Sequence, residues 1–342
     1  MAANMAAVAA RAAHTATTLG DGRVFVAGGC VIDGCGEATD TTFLLLADGR
    51  TAVPGPRLAG PRDGHTATLV DAGVVLAGGF SGESRGALGS VELFDPGTDT
   101  VRSLDQLIQA RGGHAAAALS NGTVLVIGGW IGSRTYTSTA EIIDPTSGAV
   151  TRAADAPVAA DALDAIALAD GRVLVTGGQV QPAVATAEAE IYDPARDEWI
   201  TLPSMSTPRL KHLSILLSDG RALIIGGTSD DQHVLATTEV FDPQTNTFSE
   251  GPRLIEGRYK MTGGAVALPG NRVLIGGGGT SVELLDIEDG TSRMIASYGE
   301  RGSFATVNAW GPDAFVVLGG YDDRIGLRRD YVIVTASSIE AP

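Results

Sequence analysis

Two lysines stand out in a chain that carries 22 arginines: Lys211 and Lys260. Each follows an arginine by two residues, in Arg209-Leu210-Lys211 and Arg258-Tyr259-Lys260, and the two lie 49 residues apart. A lysine pair can supply a neutral amine for Schiff-base or general-base work, or a cationic cradle for an anion. Packed sheets sit ~10 Å apart, and at an effective dielectric of ~20 two ammonium groups there repel by roughly 1.7 kcal/mol. That is on the order of one pKa unit against a starting value near 10.4. Repulsion alone therefore leaves both lysines charged. The expectation is a cationic cluster of Arg209, Lys211, Arg258 and Lys260, with Tyr259 between the cations to stack on a ligand or donate its hydroxyl.

Acidic chemistry falls next to this cluster. An arginine and a histidine three residues apart recur along the chain, but the stretch Asp161-Ala162-Leu163-Asp164 replaces them once. Counted back from the following glycine pair, Asp161 aligns with Arg62 and Asp164 with His65. A carboxylate among cations is either an ion-pair partner or an acid–base group. The recurring arginines are Arg11, Arg62, Arg111, Arg209, Arg258 and Arg301. They satisfy loop carbonyls or touch a ligand directly. Trp130 directly follows a glycine pair and either walls a pocket or packs.

The elements that must position these residues repeat. An apolar run ending in Gly-Gly recurs seven times, closing at Gly29, Gly79, Gly129, Gly178, Gly227, Gly277 and Gly320. A second alternating run precedes each pair, joined by turns such as Asp21-Gly22, Asn121-Gly122, Asp170-Gly171 and Asp219-Gly220, the residues a tight hairpin demands. A third run closes on Asp-Pro at Pro96, Pro145, Pro194 and Pro243, and a fourth short run follows. Each period is a four-stranded antiparallel meander, strands a to d. Such units cannot bury a core alone, and stacking them radially gives a β-propeller.

With R-x-x-H, D-G-R-V-L-V and G-G in nearly every unit, the chain resembles the bacterial kelch-repeat family over essentially its whole length. The resemblance implies an all-β, seven-bladed kelch-type propeller. The chain reads as one domain, residues 1–342, with blades near 11–60, 61–110, 111–157, 158–206, 207–256, 257–300 and 301–342 with 1–10. The last unit has no strand d, so the ring is expected to close by strand pairing of the two termini. The family's Tyr and Trp of strands c and d survive together as Tyr192 and Trp199, which read as core packing. Kelch enzymes that oxidise sugars with copper carry a Tyr-His pair, and the iron-using plant kelch proteins carry E-x-x-x-D-x-x-x-H. Neither motif is present. The expectation is no metal and no cofactor.

Further exclusions follow from composition and from weaker motifs. The net charge of −16 disfavours nucleic acid, and no apolar run is long enough to span a membrane. His14, His65, His114 and His212 share the R-x-x-H position; spread round a ring, they are too far apart for one metal and are expected to bond within their own blades. Cys30 and Cys35 share one loop. Without a secretion signal in MAANMAAVAA, a cytoplasmic protein with two reduced thiols is expected rather than a disulfide.

In such a meander the b–c and d–a loops share one end, and the b–c loops are long and varied: 30–40, 80–90, 130–139, 179–188, 228–238 and 321–329. The functional face is expected there, round the mouth of the central channel. The favoured function is binding of a small anionic or zwitterionic molecule, or metal-free isomerase, cyclase or lyase chemistry using Asp161, Asp164, Lys211, Tyr259 and Lys260. The alternative is a protein-docking platform using Phe80, Trp130, Tyr136 and Ile325.

Overall fold

The structure, a computed structural model, describes residues 5–82 and 86–340. Among these the chain forms seven antiparallel blades, each laid down in sequence order from the inside outwards. Six blades have four strands and the seventh has three, Thr306–Ala309, Ala314–Leu318 and Tyr331–Thr335. Part of the second b–c loop, residues 83–85, lies outside the described residues.

The glycine pairs join blade to blade. Gly29 donates its N–H to the Arg62 carbonyl of the next blade at 2.8 Å, and Gly79 donates to the Arg111 carbonyl at 2.9 Å. Gly28 sits at φ +60°, where a Cβ would lie 2.6 Å from that same Arg62 oxygen. Only glycine combines the left-handed backbone with this approach. The repeating Gly-Gly is thus a requirement of the interface between blades.

The core is divided among those interfaces. Phe25 of blade 1 stacks on Phe94 of blade 2 with ring centroids 3.9 Å apart. Leu125 and Ile127 of blade 3 pack with Val173, Val175 and Tyr192 of blade 4. Tyr192 and Trp199 sit 5.1 Å apart, as a packed pair.

Among the described residues, no strand from the N-terminus pairs with blade 7 to close the ring. Met5–Ala9 is a helical turn, and its Val8 and Ala9 are buried against Val316, Leu318 and Trp310 of blade 7 and Val24 and Val26 of blade 1. An alanine-rich segment favours helix over strand. Blade 7 docks directly on blade 1: Asn308 donates to the Ala16 carbonyl at 3.1 Å, Trp310 Nε1 to the Leu46 carbonyl at 2.7 Å, and Gly320 N to the Arg11 carbonyl at 2.9 Å.

Candidate functional site

One residue per blade sets the rim of the channel: Ala13, Gly64, Gly113, Ala162, Lys211, Lys260 and Phe304. All seven have left-handed backbones, with φ from 50° to 63°. They are linked in series. Gly64 N bonds Ala13 O at 3.2 Å, Gly113 N bonds Gly64 O at 3.3 Å, and Ala162 N bonds Gly113 O at 2.9 Å. The chain continues through Lys211 N to Ala162 O at 2.9 Å, Lys260 N to Lys211 O at 2.9 Å and Phe304 N to Lys260 O at 2.8 Å. The two lysines are therefore successive members of one backbone belt, and they are its charged members.

The belt surrounds a cavity of about 810 Å³. Lys211, Lys260, Asp161 and Asp164 all line it, together with Phe80, Trp130 and Phe304. Lys211 Nζ is paired with Asp231 Oδ1 at 2.6 Å. Lys260 lies over the Tyr259 ring at 5.1 Å and the Phe304 ring at 5.6 Å, and among the described residues no carboxylate comes within ion-pair distance of it. Burial lowers its pKa, and so do the charges of Lys211 and Arg301, while Asp231 opposes the shift. Tyr259 braces Lys260 and also faces the Arg301 guanidinium at 5.7 Å; it does not line the cavity.

Burial pushes the Asp161 carboxyl up to about 6, against the hydrogen bond from Gln179 and the charge of Lys211; Asp231 adds to the rise. Burial pushes Asp164 up to about 7, although its Oδ2 accepts the Ser214 N–H. Tyr136 is raised by burial and by Asp161, so its phenol stays protonated. The wall thus holds two cations and two carboxyl groups that titrate near neutrality, the range in which a group can both give and take a proton.

The arginines do not belong to this wall. Arg62, Arg111, Arg209 and Arg258 are buried inside the blades, each paired to a strand-c glutamate: Glu92, Glu141 (2.6 Å), Glu239 (2.7 Å) and Glu283 (3.2 Å). Arg111 also donates to the carbonyls of Gly128 and Thr139, both at 2.8 Å. Arg11 has Phe43 where other blades have the glutamate, and its guanidinium stacks there at 4.8 Å. Arg301 is one residue out of phase, since Gly302 supplies the carbonyl that Arg11 or Arg62 supplies elsewhere; it pairs with Asp323 at 3.0 Å. A buried guanidinium needs partners for its donors, and these loops provide most of them, leaving Nε of Arg62 and of Arg209 without one.

The alignment of Asp161 also changes. The a–b hairpin of blade 2 pairs Val70 with Gly73, whereas that of blade 1 pairs Leu19 with Arg23, so blade 2 is one residue shorter there. Counting back through the shorter hairpin displaced the match by one. Ala160, whose carbonyl receives Gly129 N, occupies the arginine position, and Asp161 corresponds to Asp63. Asp164 opens strand a of blade 4, at the place of Thr15 and Thr66.

Blade 4 therefore keeps the glutamate without its arginine. Glu190 is buried, its Oε1 accepts no hydrogen bond, and burial together with Glu188 raises it to about 7. Its folded pKa exceeds the unfolded value, so it costs stability as pH rises through this window. Glu190→Gln is expected to stabilise the fold by about 2 kcal/mol at pH 8, allowing for partial solvent screening. The gain should be mostly gone at pH 5 and vanish below about pH 4; melting curves across this range read it directly.

The histidines bond between blades, contrary to expectation. His14 Nε2 meets Thr306 Oγ1 at 3.1 Å, His65 meets Thr15 at 3.0 Å, His114 meets Thr66 at 2.9 Å and His212 meets Thr176 at 2.9 Å. Burial holds His14, His114 and His212 near 3 and His65 well below its ordinary value, so all four are neutral. Cys30 and Cys35 are joined as a disulfide, which corrects the expectation of two thiols; their Cα atoms lie 5.0 Å apart, a span a disulfide bridges. The glutamates went unread in the sequence although they repeat in VELFDP, AEIIDP, AEIYDP and TEVFDP. A constant distance of 30 residues behind Arg62, Arg111 and Arg209 marks them as partners.

Radial blades, an interblade Gly-Gly seam and a lined central cavity define a kelch-type seven-bladed propeller. The KLHDC2/KLHL20/DRC7 Kelch-repeats domain model matches residues 64–279, and the chain belongs to that family. Among solved structures it is similar to one titled "Structure of YjhT", at 15% identity and a TM-score of 0.65, covering 83% of this chain and 97% of that chain. At that identity the likeness shows the fold alone. No curated protein matches the chain. No helix among the described residues is long and apolar enough to cross a membrane.

Proposed function

We propose that the protein binds a small anionic or zwitterionic molecule in its central cavity. The supporting observation is the convergence of Lys211, Lys260, Asp161 and Asp164, from three consecutive blades, on one space of about 810 Å³, a size suited to a small ligand. The ammonium of Lys260, braced by aromatic rings and with no carboxylate partner among the described residues, is the primary anion contact. Lys211 serves as a second contact when Asp231 yields to the ligand. Asp161, in the blade next to Lys211, accepts or donates a proton beside the lysines, and Phe80 and Trp130, 5.6 Å apart, wall the apolar part. The chemistry these groups support is proton transfer next to a stabilised negative charge, as in isomerisation, ring closure or elimination.

Incubating the purified protein with a small-molecule extract and identifying the retained compounds by mass spectrometry tests this reading. Anionic or zwitterionic compounds retained at one per chain support it. Retention of none, or of neutral compounds only, refutes it. Affinity for such a ligand is also expected to rise as pH falls through about 6, because protonating Asp161 removes a negative charge beside the lysines. Titration calorimetry across that range checks the sign.

A further inference from the structure

Next to this wall, two sulfurs and a carboxylate converge on a point that proton transfer does not use. Cys30 Sγ lies 3.3 Å and Cys35 Sγ 3.2 Å from the same oxygen, Asp63 Oδ2. Three ligand atoms, one from each residue, lie within 4.8 Å of one another. Cys30 and Asp63 are buried; Cys35 is half-buried, and Cys35 and Asp63 line the central cavity. Both blades hold the group firmly. Cys30 of blade 1 bridges Ala12 and Ala38, Asp63 of blade 2 bridges Phe80 of the same blade, and Cys35 ends a single 3-10 turn, Asp33–Cys35.

We infer that Cys30, Cys35 and Asp63 form, once the disulfide is reduced, a binding site for a thiophilic divalent metal ion such as zinc at the rim of the cavity. In the disulfide neither sulfur carries a proton, so the Asp63 oxygen faces sulfur lone pairs. Reduction by a dithiol supplies two electrons and two protons, gives two thiols here and leaves the reductant as its own disulfide. Both thiols then release their protons to solvent as the ion binds. Two thiolates and a carboxylate are ligands that zinc accepts. Three protein ligands leave a fourth position for water or an anionic group. The site does not depend on the lysines, so its test is separate from that of the ligand reading.

Cobalt(II) titrated anaerobically into the whole chain, reduced with a phosphine, reports thiolate ligation through its charge-transfer absorption. The expected result is saturation at one ion per chain, and no such band in the untreated protein. Asp63→Asn and Cys35→Ser should each weaken binding more than about tenfold, the least that even outer-shell changes cost at comparable sites. Metal-free melting curves of both variants show whether they fold. Should Cys35→Ser fail to fold, the reduced wild type and Asp63→Asn decide the matter. Absence of the band in reduced protein, an equal band without reduction, or unchanged affinity in folded Asp63→Asn overturns the site.

Discussion

Arg111→Ala should destabilise the propeller by about 3–5 kcal/mol, the usual result of removing one partner from a buried ion pair. Arg111 is fully buried, and its loss takes a donor from the Gly128 and Thr139 carbonyls and leaves buried Glu141 without its cation, held only by the Ile108 and Gln109 N–H groups. Domains of this kind are stable by only about 5–15 kcal/mol, so the change is a large share of the whole. Blade 4 already shows the outcome at one position: Ala160 stands where the arginine would, and Glu190 avoids an unpaired charge by taking up a proton more readily. The loss in Arg111→Ala should therefore be smaller at pH 5 than at pH 8, and Arg111→Ala with Glu141→Gln should recover part of it. Denaturant melts give the difference. A loss below about 1 kcal/mol would mean that the Arg–Glu pairs are not what holds the blade loops.

Lys211→Ala with Lys260→Ala should abolish retention of the ligand while leaving the melting curve nearly unchanged. The fold tolerates alanine at this belt position, since Ala13 and Ala162 occupy it with φ of 50° and 51°. Each charge-assisted contact removed is worth about 1.5–3 kcal/mol, so the pair together should weaken binding by roughly a hundredfold or more. The two single variants should differ. Lys211 is already paired with Asp231, whereas the Lys260 ammonium lies over two aromatic rings and, among the described residues, has no carboxylate within ion-pair distance. Lys260→Ala is expected to carry the greater share. Equal, small effects of the two would indicate that neither ammonium touches the ligand.

The propeller was legible in the sequence because its demands are local and repeat. Positive φ at Gly28 and Gly22 can be met by few residues, so the period is written in glycine. The lysines were also legible, since equal phase in adjacent blades puts Lys211 and Lys260 on one belt. What failed was whatever depends on inward or outward direction. The same phase that puts a lysine on the rim puts Arg209, two residues earlier, inside the blade, and burial of a charge has no local signature until its partner is identified. The partner, Glu239, was present in the repeat but 30 residues away. Asp161 was misaligned by a single missing hairpin residue in blade 2, because a count along the chain cannot see which connection lost it. The histidine bonds cross between blades, where phase specifies position but not partner.

A crystal structure of the protein with a ligand retained from the extract bears most directly on the role of the cavity. The account predicts ligand density inside the belt, with its negative group on Lys260 and a polar atom within hydrogen-bond distance of Asp161. Density on the outer b–c loops, or a ligand that leaves both residues untouched, would contradict it.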